Sequence, residues 1–149
     1  MVSWEESSKT VGFKVNKLNA LLRSEFQGIL HKAGWKITPE QWGTIHFLIH
    51  NPGSTQTVLA SASRRDQTSI TRLLDGLQRH GLIERRNDQS DRRIFRIFLT
   101  EEAERMYMVT FSSVEEFNLN LKKCLSDSEG EKLIELMDKL YQSLIVDES

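Results

Sequence analysis

The chain has 149 residues, 38% hydrophobic and 28% charged, with a formal net charge of −1. That length suits one ordinary domain with a sizeable core, and the balance excludes disordered, fibrous and disulfide-stapled classes. No apolar run approaches the roughly 20 residues of a membrane helix, the acidic start MVSWEESSK lacks the apolar segment of a secretory signal, and the single cysteine, Cys124, cannot form an internal disulfide, so a cytoplasmic location is expected.

Val11, Val15, Leu18, Leu22, Phe26, Ile29 and Leu30 recur at helical spacing and predict a helix over 7–33, ended by Gly34. Thr38-Pro39-Glu40-Gln41 then combines a cap, a first-turn proline and a capping-box glutamine, so a second helix should start there with Trp42, Ile45, Leu48 and Ile49 inward. Asn51-Pro52-Gly53-Ser54 reads as a turn. A short helix over 55–62 follows, with Val58, Leu59 and Ala62 inward. Asp66 caps the next, over about 67–80, which buries Ile70, Leu73, Leu74 and Leu77 and closes at Gly81. Two such helices joined by a tight turn make a helix-turn-helix candidate.

A two-stranded hairpin is expected next, from Leu82–Arg86 and Arg93–Leu99, with Phe95, Ile97 and Leu99 anchoring it to the core. The polar loop between the strands carries Asp91, Arg92 and Arg93. Thr100-Glu101-Glu102 starts a long helix over about 101–124, and a last helix begins near Ser126 with Leu133, Leu136, Met137, Leu140 and Leu144 as its stripe.

Charge is distributed unevenly along these elements. Residues 1–62 balance at +2, residues 63–99 at +4 and residues 100–149 at −7. All nine basic side chains of the middle segment are arginines: Arg64, Arg65, Arg72, Arg79, Arg85, Arg86, Arg92, Arg93 and Arg96. Guanidinium forks meet phosphates and guanine edges with paired hydrogen bonds, so this segment suits a polyanion. With its apolar side buried, the 67–80 helix presents Gln67, Thr68, Ser69, Thr71 and Arg72, short polar groups that reach base edges in a major groove. Its free N-terminal amides should also favour phosphate. The hairpin tip can enter the adjacent minor groove, with Asp91 holding an arginine in place.

The residues Leu59-Ala60, Asp66, Ser69-Ile70-Thr71-Arg72-Leu73-Leu74-Asp75, Leu77, His80-Gly81-Leu82-Ile83-Glu84-Arg85, Asp91-Arg92-Arg93 and Leu99-Thr100-Glu101 together resemble the MarR family of winged-helix transcriptional regulators. That family's wing signature, Asp-x-Arg then five residues and Leu-Thr, is met by Asp91, Arg93, Leu99 and Thr100. The resemblance spans about residues 10 to 145. It departs at Ser63, where a core leucine is usual, and at Gln67, where a small residue or proline is usual.

The expected fold is therefore mainly α with a small β-hairpin wing. One domain, 1–149, comprises a winged helix-turn-helix lobe (37–100) and N- and C-terminal dimerisation helices (1–36 and 101–149). The resemblance implies a homodimer on a pseudo-palindromic double-stranded DNA operator, probed by Arg64, Arg65, Gln67, Thr68, Ser69, Thr71, Arg72, Asp91, Arg92 and Arg93. It implies a repressor released by a small phenolic or apolar effector, for which Trp35, Trp42, His46, Phe47 and Met106 are the candidate lining. A protein-interaction adaptor of the same shape is the alternative. No cofactor is expected. His46 and His50 stand at zinc-compatible spacing but lack an evident third ligand, so no metal is expected either. No nucleophile–base pair, paired-acid site or glycine-rich phosphate loop suggests an enzyme.

Overall fold

A computed structural model describes residues 3–146. The elements in chain order are α1 (Trp4–Ser7), α2 (Val11–Lys32), α3 (Pro39–His50), β1 (Ser54–Thr55), α4 (Gln56–Ser63), α5 (Gln67–Arg79), β2 (Ile83–Asn87), β3 (Phe95–Leu99), α6 (Glu101–Lys122) and α7 (Asp127–Val146). The backbone divides into two compact units, Met1–Ser112 and Ser113–Ser149.

In the first unit the helix expected over 7–33 is interrupted. Thr10 takes an extended conformation and accepts a hydrogen bond from the Phe13 amide, so it caps α2 and separates it from α1. A capping threonine satisfies an amide that a continuous helix would bond to its own backbone. Gly34 ends α2 at φ 85°, and the Trp35 amide returns to the Leu30 carbonyl. The predicted capping box is present at α3: Gln41 N donates to Thr38 Oγ1, and Thr38 N to Gln41 Oε1.

Leu30, Ile37, Trp42, Ile45, Leu48, Leu59, Ile70, Leu74, Leu77, Leu82, Ile83, Ile97 and Met106 form the core. Each such side chain contributes about 1.5–3 kcal/mol on burial. The inward face of α4 is Leu59 and Ala60, whereas the expected Val58 and Ala62 are exposed. Ser54 and Thr55 pair with Ile97 and Arg96 of β3, making a third, unpredicted strand. Two residues are too few to show a two-residue period.

The sheet is antiparallel in the order β1-β3-β2, with Ile83 opposite Leu99 and Asn87 opposite Phe95. Ile97 anchors the hairpin and Leu99 is half-buried, but Phe95, expected inward with them, is half exposed near the tip. Gly53, at φ 75°, donates its amide to the Ile97 carbonyl, and a Cβ there would stand 3.0 Å from Phe98 Cζ.

In the second unit, Ser126 and Glu129 exchange hydrogen bonds as the capping box of α7. The apolar stripe of α7, Leu133, Leu136, Met137, Leu140 and Leu144, is about half exposed or more, as are Leu119 and Leu121 of α6. In the first unit Val11, Val15, Leu18 and Leu21 of α2 are uncovered to a similar degree. Among the described residues no helix is long and apolar enough to cross a membrane.

Candidate nucleic-acid interface

Helix α4 ends at Arg64, whose left-handed φ of 51° turns the chain sharply toward α5. The Arg64 and Arg65 amides return to the Ser61 and Ala60 carbonyls, which occupies carbonyls the ending helix would otherwise leave unpaired. Asp66 caps α5, accepting from Ser69 N at 2.8 Å and Ser69 Oγ at 2.6 Å. These bonds, the side-chain one foremost, hold the Asp66 carboxyl below its ordinary range. The Asp66 carboxylate therefore takes up the Ser69 amide and places its own negative charge at the positive end of the helix.

The exposed side of α5 contains two kinds of residue. Gln56 of α4 donates from Nε2 to Thr71 Oγ1 at 2.7 Å and to the Gln67 side-chain and backbone oxygens at 3.2 and 3.3 Å. Thr71 Oγ1 in turn donates to the Gln67 carbonyl at 2.8 Å. Gln67, Ser69 and Thr71 are thus fixed in place by α4 and by the cap. Thr68 and Arg72 are exposed and make no side-chain hydrogen bond or ion pair among the described residues. Gln56 was not singled out from sequence, because the partner it finds lies eleven to fifteen residues away.

The arginine segment divides in the same way. Arg85 donates to Asp75 and Gln78 of α5, both at 2.7 Å, and ties the second strand to that helix. Arg86 pairs with Glu84 and lies over the Phe98 ring at 4.5 Å. Arg96 pairs with Asp88 and donates to the Gly53 carbonyl at 3.1 Å. Arg65 and Arg92 are exposed and, like Arg72, hold no carboxylate among the described residues.

At the hairpin tip the predicted grip is present. Asp91 accepts from Arg93 Nε at 3.0 Å and Nη2 at 2.8 Å, and from the Arg93 amide at 3.0 Å. The fork-to-fork contact fixes the plane of the guanidinium while leaving the Arg93 side chain 90% exposed. The arginine holds the Asp91 carboxyl below its ordinary range, and the carboxylate raises the guanidinium in turn. Asn87 Nδ2 donates to the Arg92 carbonyl at 2.9 Å and closes the loop.

Of the five candidate effector residues, Trp42 and His46 lie together. Trp42 is buried and donates from Nε1 to Thr110 Oγ1 at 2.8 Å, and Met106 is wholly buried. His46 stacks on Trp42 and meets the Tyr107 hydroxyl through Nδ1 at 2.9 Å. Burial, then the neighbouring His50, lowers its pKa. Trp35 is half-buried at the end of α2. Phe47 lines a half-open pocket of about 320 Å³ with Leu59, Ser63, Arg65 and Ile70. Helical spacing places residues on a common side of one element, but it does not determine whether neighbouring elements fill the space between them. His46 and His50 lie ring to ring at 5.0 Å, and no group of three metal-ligating side chains occurs among the described residues.

Residues 35–94 match the model of the MarR family. The fold is similar to that of the S. aureus MepR–DNA complex, with 26% identity, TM-score 0.81, and 91% of this chain and 96% of that one covered. It is also similar to a mutant MarR from E. coli complexed with operator DNA (21% identity, TM-score 0.84, 93% and 99% covered). A third similar structure is the PcaV transcriptional regulator from Streptomyces coelicolor in complex with its natural ligand (18% identity, TM-score 0.82, 97% and 99% covered). The match falls on the capped α3, the α4–α5 turn and the wing tip that carries the Asp91–Arg93 grip, and the similarity of fold extends over the flanking helices: over residues 35–94 this chain is similar to the MarR family, and its fold is similar to that of the MepR and MarR structures.

Proposed function

We propose that this chain is a dimeric, sequence-specific, cytoplasmic DNA-binding regulator of transcription, a repressor released by a small phenolic or apolar ligand. The observation that carries this reading is the division of labour on one lobe. Thr68 and Arg72 stand exposed and uncommitted on α5, and in the same lobe Asp91 holds an exposed Arg93 at the wing tip. In this reading Thr68 and Arg72 read base edges in the major groove, Gln67, Ser69 and Thr71 offer fixed polar contacts, and Arg93 enters the minor groove. Arg64, Arg65 and Arg92 meet phosphates. Asp91 acts through Arg93.

The half-exposed apolar stripes of α2 and α7 support the homodimer, since such stripes need cover. Two-fold pairing sets two α5 helices about one DNA turn apart, roughly 34 Å, and calls for a pseudo-palindromic operator. The MepR and MarR complexes with DNA and the PcaV complex with its natural ligand add support from similar folds. The Phe47 pocket, at about 320 Å³, has room for a small apolar effector.

The test is fluorescence anisotropy against genomic duplex fragments at salt between about 50 and 200 mM. The expected result is tight, steeply salt-dependent binding to a few pseudo-palindromic sites. Arg72→Ala should change which base is preferred within a site, whereas loss of affinity by an equal factor for every sequence would place Arg72 on the backbone only. A monomer that ignores every duplex at low salt would overturn the proposal in favour of a protein-interaction adaptor.

A further inference from the structure

The wing tip is connected to the body of the lobe by an unbroken run of polar contacts. It begins at Gly53, in the turn between α3 and β1, whose carbonyl accepts from Arg96 Nη1 at 3.1 Å. Arg96 Nε donates to Asp88 Oδ2. The other oxygen of Asp88 accepts from Ser90 N at 2.8 Å, from Ser90 Oγ and from Asp91 N at 3.2 Å. Asp91 then grips Arg93. Asp88 is only 7% exposed, whereas the Arg93 side chain is 90% exposed.

Each link uses a group that would otherwise be costly. A carboxylate this buried needs its charge and lone pairs satisfied. Asp88 receives a guanidinium on one oxygen and three donors on the other. The Gly53 carbonyl belongs to a turn that Phe98 packs against and that donates its own amide to Ile97. The start of the run is therefore held by the sheet. Its end is the exposed Arg93 side chain at the tip.

We propose that Arg96 and Asp88 are positioning residues that carry the orientation of the wing from the Gly53 turn to Arg93 and thereby set affinity for the duplex without touching it. This rests on the DNA-binding reading above. It also separates Arg96 from Arg72 and Arg92. Nε and Nη1 of Arg96 already have partners within the lobe, whereas Arg72 and Arg92 have none among the described residues.

The test is a double-mutant cycle on a duplex that the wild-type protein binds, with Arg93→Ala, Arg96→Met and the pair together. Arg96→Met should weaken binding on the order of tenfold, and Arg93→Ala by a similar factor in the wild-type background. In the Arg96→Met background, Arg93→Ala should cost less than about twofold, because the tip is already misplaced. Asp88→Asn, which keeps the side-chain size and loses the ion pair, should give the same non-additivity. It takes the place of Arg96→Met if that variant melts below the assay temperature. Fully additive losses would overturn the inference and make Arg96 an independent contact or a bystander. Wild-type protein that binds no duplex removes the DNA-binding reading and this inference with it; wild-type binding with an additive cycle removes the inference alone.

Discussion

Asp91 and Asp88 lie three residues apart in one loop and do different work. Asp91 faces outward and fixes a guanidinium that stays in solvent; Asp88 faces inward and ties the loop to the strand beneath it. The first role was legible in Asp-x-Arg at a hairpin tip. The second has only a weak local sign, the Asp-x-Ser spacing of a side chain that bonds backbone two residues on. Arg96 had no sign at all, since its carbonyl partner is 43 residues away. At this scale His46 makes a pH prediction. Its lowered pKa means the folded state favours the neutral ring that meets Tyr107. The unfolded chain then binds the extra proton more readily, so stability is present above the ordinary imidazole pKa of about 6.5 and is lost as pH falls through the lowered value. The melting temperature should drop between about pH 7.5 and 5.5 in the wild type and drop less in His46→Gln. Equal drops would remove His46 as the cause.

Among the elements, the capped starts of α3, α5 and α7 agree with the sequence because capping is local: a threonine, aspartate or serine reaches amides within three residues. The division of α1 from α2 depends on the same chemistry at Thr10, which the helix expected over 7–33 had spanned. β1 depends on a partner strand about forty residues away and left no local pattern. Two glycines give a matched comparison. Gly53 and Gly81 both have positive φ, 75° and 68°, but a Cβ on Gly53 meets Phe98 at 3.0 Å while one on Gly81 meets nothing within 4 Å. Gly81→Ala should cost about 1–2 kcal/mol, the backbone penalty alone. Gly53→Ala should cost about 1–3 kcal/mol more, because Phe98 must shift within a packed sheet. Urea denaturation of the two variants measures the difference, and equal losses would mean that Phe98 yields freely.

For the whole molecule, the decisive features are the half-exposed apolar stripes of α2 and α7. A leucine stripe left in water gains nothing, whereas covering one gains about 25 cal/mol per Å². A single carboxylate in such an interface is costly because it would be buried without a partner. Leu140→Asp should therefore convert a dimer into monomers in sedimentation velocity and weaken operator binding by at least tenfold, while helix content by circular dichroism stays near that of the wild type. A variant that remains dimeric would show that α7 is not the interface.

The sequence by itself determined the starts of α3, α5 and α7, the helix-turn-helix spacing, the concentration of arginine between residues 63 and 99 and the Asp91–Arg93 grip, because each depends on residues close along the chain. Only the tertiary structure decided which arginines are already committed to carboxylates, that Gln56 fixes Thr71, that Asp88 and Arg96 link the wing to the Gly53 turn, and that Phe47 lines the pocket of about 320 Å³. Those outcomes depend on contacts between residues far apart in sequence, and neither periodicity nor local spacing encodes which distant groups the folded chain brings within hydrogen-bonding distance.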